Sequence, residues 1–145
     1  MTPENEAKKQ YLLRYCQAER EIHLLQEELE RLESMATRIT PSYSGEARGS
    51  GEGSRIESSA EKLDACRRKL DAAVCRALDI RQEIDALIQA VPEWKLRELL
   101  TRRYILGQKW EQVAWEMDLE FRQVFRVHNY ALSRIVIECH IPTVL

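Results

Sequence analysis

A chain of 145 residues has room for one domain, or for a small domain with an extended element, and two compact domains would crowd it. Charged residues make up 32% while Gly and Pro number only 5 and 4, a balance that favours long helices over a turn-rich β fold. The net charge of -2 hides an asymmetry, because residues 1–92 carry 14 basic and 17 acidic side chains and residues 93–145 carry 8 and 7, so any basic excess is local.

The opening M-T-P-E-N-E-A-K-K-Q has no apolar core of signal-peptide length, and no later run approaches the ~20 apolar residues of a membrane span. The expected setting is the cytoplasm, with no membrane partner. Cys16, Cys66, Cys75 and Cys139 show no C-x-x-C spacing, and His23, His128 and His140 do not complete a zinc pattern. These cysteines read as reduced thiols packed as small hydrophobes. No metal or cofactor is expected.

Thr2 and Pro3 make an N-cap and first-turn pair, after which nothing breaks a helix until Pro41. Tyr11, Tyr15, Ala18, Ile22, Leu25, Leu29, Leu32, Ala36 and Ile39 recur at alternating intervals of 4 and 3, which is a heptad seam. The stretch 40–55 then holds four Gly and four Ser, and it buries too little apolar surface to offset its ordering entropy. A flexible Gly/Ser loop is predicted there. It has no G-K-[ST] and no G-x-G-x-x-G, so a linker is favoured over a nucleotide site.

Helical periodicity resumes with Ile56, Ala60, Leu63, Leu70, Val74, Ala77, Ile84, Leu87 and Val91, a seam that wobbles where Arg67 and Arg81 take strict positions beside Cys66 and Ile80. Two long helices joined by a flexible loop fold most economically into an antiparallel coiled-coil hairpin, residues 1–91. An extended pair that completes its core by dimerising is the rival arrangement. Pro92 ends the second helix and marks a hinge to a second domain, residues 92–145. Trp94, Leu96, Leu99, Leu100, Tyr104 and Ile105 next form a short amphipathic helix stopped by Gly107, with Trp94, Trp110 and Trp115 as core or near-core aromatics.

From Trp110 to Val127 the apolar positions Val113, Ala114, Met117, Leu119, Val124 and Val127 suit two short helices packed across a tight turn. Ala114 is the small residue over which the second helix crosses, and Asp118 falls where the turn needs a left-handed residue. The second helix, Phe121 to Arg134, contains Arg122, Arg126 and Arg134 and no Asp or Glu. If Val124, Val127 and Ala131 face the core, then Phe121, Arg122, Gln123, Phe125, Arg126 and Asn129 turn outward. Such a face suits double-stranded DNA.

The segment R-Y-I-L-G-Q-K-W-E-Q-V-A-W-E-M, followed by F-R-Q-V-F-R-V-H-N-Y-A-L, resembles the C-terminal DNA-binding part (region 4) of bacterial sigma factors. It resembles more closely the small phage-encoded sigma-like regulators of Gram-positive hosts, the ArpU/RinA type, which also place a long helical segment before the module. The resemblance covers most of the chain and is specific from about Trp94 to Ile135. It implies an all-α fold with a sigma-region-4-like helix-turn-helix, and a 94–105 helix packed behind it. It assigns base-edge contacts to Arg122 and Arg126, with Gln123 next, while Phe121 and Phe125 stand where polar or basic residues are usual. An exposed Phe suits either thymine methyl groups or a protein interface. Phosphate contacts fall to Lys109, Arg102, Arg103 and His128. Lys109 and Glu120 occupy N-cap positions where Ser or Thr is expected, and Asp118 replaces the turn glycine.

No catalytic constellation is spaced for chemistry, so a non-enzyme is expected. The leading reading is a sequence-specific transcription regulator of phage or prophage origin, whose coiled coil supplies a homodimer contact or a contact to host RNA polymerase. Two readings compete with it. One is a small-terminase-like packaging protein, against which the order of module and helices argues. The other is a coiled-coil adaptor that holds a protein partner through Phe121, Phe125 and the tryptophans.

Overall fold

The computed structural model describes residues 1–39 and 51–138, with side chains described at 1–38 and 56–138. Those residues are helical, with no strand among them: α1 (Pro3–Leu12), α2 (Arg14–Ile39), α3 (Gly51–Gln89), α4 (Trp94–Leu100), α5 (Trp110–Glu116) and α6 (Phe121–Arg134). A π-helical turn, Thr101–Ile105, continues α4. No helix among the described residues is long and apolar enough to cross a membrane.

Thr2 caps α1 by accepting the Asn5 N–H on its side-chain oxygen at 3.2 Å, and Pro3 opens the first turn. Only Leu13 separates α1 from α2, and the bonds from Leu13 N–H to Lys9 O and from Gln17 N–H to Leu13 O, both 3.0 Å, carry the helical pattern across it. At the other end of the predicted loop, α3 begins at Gly51, earlier than the periodicity from Ile56 implies. Once a helix has a nucleus, each added residue gains a hydrogen bond, so a few Gly and Ser do not stop it. The remainder of that loop, 40–50, and the seam side chain of Ile39 lie outside the described residues, as do Cys139 and His140.

The chain does not divide at Pro92. One compact unit is Met1–Gln17 with Leu78–Leu145, and the other is Ala18–Ala77. Within Ala18–Ala77, Ala18 is buried and Ile22, Leu25, Leu29, Leu32 and Ala36 are half-buried between exposed neighbours, as the heptad spacing predicts. On α3 the facing positions are Ser59, Leu63, Cys66, Leu70, Ala73 and Ala77, which leaves Ile56, Ala60 and Val74 exposed. The seam is therefore regular, and the predicted wobble came from a one-residue shift at alternate positions. Small Cys66 and Ala73 let the helices approach, while Arg67 reaches across the rim to Glu33 at 3.4 Å. Arg76 meets Glu21 at 3.0 Å, and the Cys66 thiol points at the Leu25 carbonyl at 3.8 Å. Higher numbers on α3 meet lower numbers on α2, so the two segments run in opposite directions. Cys75, unlike Cys66, is exposed and does not serve as a small core residue.

In the other unit, one core joins Leu12, Ile84, Ile88 and Val91 to Leu96, Leu99, Leu100, Tyr104, Ile105, Val113, Ala131, Leu132 and Ile135. The expected hinge at Pro92 is a pinned corner: the Arg97 guanidinium donates to the carbonyls of Val91 and Pro92 at 2.8 and 2.9 Å, and Arg134 pairs with Glu93 at 3.0 Å. The π turn, closed by Leu106 N–H to Thr101 O at 2.9 Å, brings the adjacent Tyr104 and Ile105 both inward. Gly107 then takes φ 67° and ends the helix. Two of the three tryptophans are not core residues: Trp94 is 62% and Trp115 82% exposed, because the leucines of α4 and the Val113–Ala114 face of α5 fill the interior. Only Trp110 is half-buried.

Candidate functional site

Val113, Ala114 and Val124 are buried and Met117, Leu119 and Val127 half-buried, so the apolar positions of α5 and α6 face one another and the core. The link between them closes as a helix-terminating motif. Leu119 N–H donates to Ala114 O at 2.9 Å and Asp118 N–H to Trp115 O at 3.3 Å, with Asp118 left-handed at φ 52°. The Lys109 N-cap of α5 has no side-chain bond of its own, whereas a capping box opens α6: the Gln123 side-chain oxygen accepts the Glu120 N–H at 3.1 Å and the Glu120 side chain faces the Gln123 N–H. α1 lies against α6, where Asn5 donates its side-chain amide to Asn129 O at 3.1 Å.

The outer face of α6 presents Arg122 and Arg126, both exposed. Neither makes an ion pair among the described residues, and α6 itself contains no acid. Gln123 is exposed, but its carbonyl oxygen is committed to the cap. A fork onto adenine needs that oxygen and the amide N–H together, so Gln123 can fork only by releasing the cap. Along one flank of the same helix run Phe121 and Phe125, 48% and 39% exposed. Their rings meet edge to face with centroids 5.0 Å apart, and Phe125 in turn lies 5.6 Å from Trp110.

The residues expected at phosphates differ in their surroundings. Lys109 is exposed at the start of α5. Arg102 is held by Glu98 through two bonds of 3.1 and 3.0 Å and lies 4.0 Å from Glu116, so its charge is already met by carboxylates. Arg103 donates to Gln108 O at 3.0 Å and covers the Trp110 ring at 4.6 Å, where it braces the aromatic file. His128 is buried and cannot reach a phosphate from its position. Its Nε2 sits 2.6 Å from the Tyr104 hydroxyl, and its ring lies 4.5 Å from that of Trp110. Burial, with help from Lys9 and Arg103 and against Glu6, lowers the imidazole pKa to about 4. Burial likewise raises that of the Tyr104 phenol. Both groups are therefore neutral at pH 7, and with the ring proton on Nδ1 the phenol O–H donates to Nε2.

The file Phe121–Phe125–Trp110–His128–Tyr104 was not assembled from the sequence. Its signal was present in the i, i+4, i+7 spacing of Phe121, Phe125 and His128, which puts three rings on one side of a helix. The histidine instead reads as a surface cation when it is considered alone. Among the described residues no group of three or more His, Cys, Asp or Glu could hold a metal ion. Comparison of the chain with family models, with curated proteins and with solved structures gives no match.

Proposed function

We propose that the chain is a non-catalytic, sequence-specific DNA-binding transcription regulator in which α5, the Asp118 turn and α6 form a sigma-region-4-like helix-turn-helix. In this reading α6 enters the major groove, and α2 with α3 forms an antiparallel coiled-coil hairpin that serves a second copy or RNA polymerase. The phage or prophage setting rests on the resemblance alone. The observation that carries the proposal is the acid-free outer face of α6, where Arg122 and Arg126 stand exposed directly after a left-handed turn. Guanidinium groups in that position can fork onto guanine.

The test is a selection from random duplexes with the full chain, followed by affinity measurement at several salt concentrations. Arg122→Ala or Arg126→Ala should cost ~1–3 kcal/mol at the selected site while sparing non-specific binding. Lys109→Ala should weaken all sequences alike and make the salt dependence shallower by about one unit. If no sequence is enriched and the arginine variants bind like the parent, the proposal fails. The adaptor reading would then gain from the exposed Trp115.

A further inference from the structure

We infer that Phe121 and Phe125 form a thymine-methyl reader, so that the site bound by α6 carries thymines at neighbouring base pairs beside the guanines taken by Arg122 and Arg126. The inference rests on the DNA-binding reading above and adds to it a chemical class of base contact. Three observations support it. Both rings are substantially exposed while Val124, Ala131 and Leu132 of the same helix fill the core, so core packing does not account for them. Their placement is fixed from behind: Phe121 sits edge-on to Phe125 at 89°, Phe125 is tilted on Trp110, and Trp110 is clasped by Arg103. Each Phe immediately precedes an exposed arginine, so an exposed ring and an exposed cation occur together on two successive turns of the helix.

The two rings lie 5.0 Å apart between centroids, so together they offer one continuous apolar surface longer than a single base-pair rise of about 3.4 Å. In the major groove the thymine C5-methyl is the only apolar group offered by a base edge, and Phe is among the side chains that contact it. An arginine pair without the rings would be satisfied by any guanine-containing step, whereas the rings add a preference that hydrogen bonding does not supply. A protein partner would also cover two phenylalanines, but it gains nothing from two unpaired arginines on the same face unless it is acidic. DNA accounts for both features.

The test uses the full chain and its selected duplex, with each thymine replaced in turn by deoxyuridine, which removes the methyl and leaves every hydrogen-bonding group in place. Affinity should fall about fourfold at one or two adjacent positions, the loss for one buried methyl-sized group. The salt slope should stay unchanged, because no phosphate contact is lost. Phe121→Ala, a change at an exposed ring, should bind the thymine and deoxyuridine duplexes equally at one of those positions. If a sequence is selected but deoxyuridine is neutral throughout, the thymine inference is overturned and the DNA-binding reading stands. If no duplex is selected, both fall together.

Discussion

The Tyr104–His128 pair makes the stability of the unit that contains α6 depend on pH. In the unfolded chain His128 has the ordinary pKa of ~6.5, whereas in the fold it is held at about 4. The unfolded state therefore binds the extra proton, and stability is complete above pH 6.5 and is lost as pH falls toward 4. A separation of about 2.5 units at ~1.36 kcal/mol each sets a ceiling of roughly 3 kcal/mol, of which about 2 should be gone at pH 5. Because His128 is 2% exposed, little solvent screening reduces this figure. Urea denaturation followed by tryptophan fluorescence at pH 7 and pH 5 measures the loss, since Trp110 lies against the imidazole. His128→Gln keeps a hydrogen-bond acceptor for the phenol and removes the titration, so its stability should change little between the two pH values. If the variant loses as much stability as the parent over that interval, His128 is not the group that senses the proton.

Replacing Leu25 and Leu29 by Ala should destabilise the Ala18–Ala77 unit by about 1–2 kcal/mol each, less than for fully buried leucines because both are half-buried. An unchanged thermal transition would show that the α2 seam is misplaced. Asp118→Gly should stabilise the α5–α6 turn by up to about 1 kcal/mol, since it relieves a left-handed β-carbon and removes a negative charge from a helix C-terminus. A lower denaturation midpoint for that variant would contradict the turn geometry.

Much of the local structure was legible because it depends on residues close in sequence. The Thr2 cap, the seam of α2, the stop at Gly107 and the left-handed Asp118 each follow from a short pattern of side-chain types and spacings. The α3 seam was harder, since Arg67 beside Cys66 and Val74 beside Ala73 give two registers that share every other position. Periodicity weighted by hydrophobicity favours Val74, while the close approach of α2 favours the smaller Ala73. The candidate site was legible where it faces outward: Phe121, Arg122, Phe125 and Arg126 are exposed as the helix pattern implied. It was not legible where partners come from elsewhere in the chain. The Glu98–Arg102 contact is a local i, i+4 pair, but nothing near Arg102 in sequence states that Glu116 also approaches it, and nothing near His128 states that Tyr104 closes over it.

The same limitation explains the boundary placed at Pro92, and it leads to a prediction about fragments. A proline between two helical patterns is a good marker of a chain corner but carries no information about which side chains share a core. Here Leu12 of α1, Ile84 and Ile88 near the end of α3 and Val91 just after it are all at most 1% exposed, within the cluster that includes Leu99, Leu100, Val113 and Leu132. A fragment of residues 92–145 would lose all four. At ~1.5–3 kcal/mol per buried aliphatic side chain the loss is roughly 6–12 kcal/mol, comparable with the ~5–15 kcal/mol that stabilises a whole small domain. The fragment should therefore show weak helicity by circular dichroism and no cooperative thermal transition. A fragment of residues 78–145 mixed with a peptide of residues 1–17 should recover helicity, because together they rebuild the core and the Asn5 contact to α6. A sharp melt of 92–145 alone would mean that α4 to α6 form an independent domain and that the base of the long helices is only docked on it.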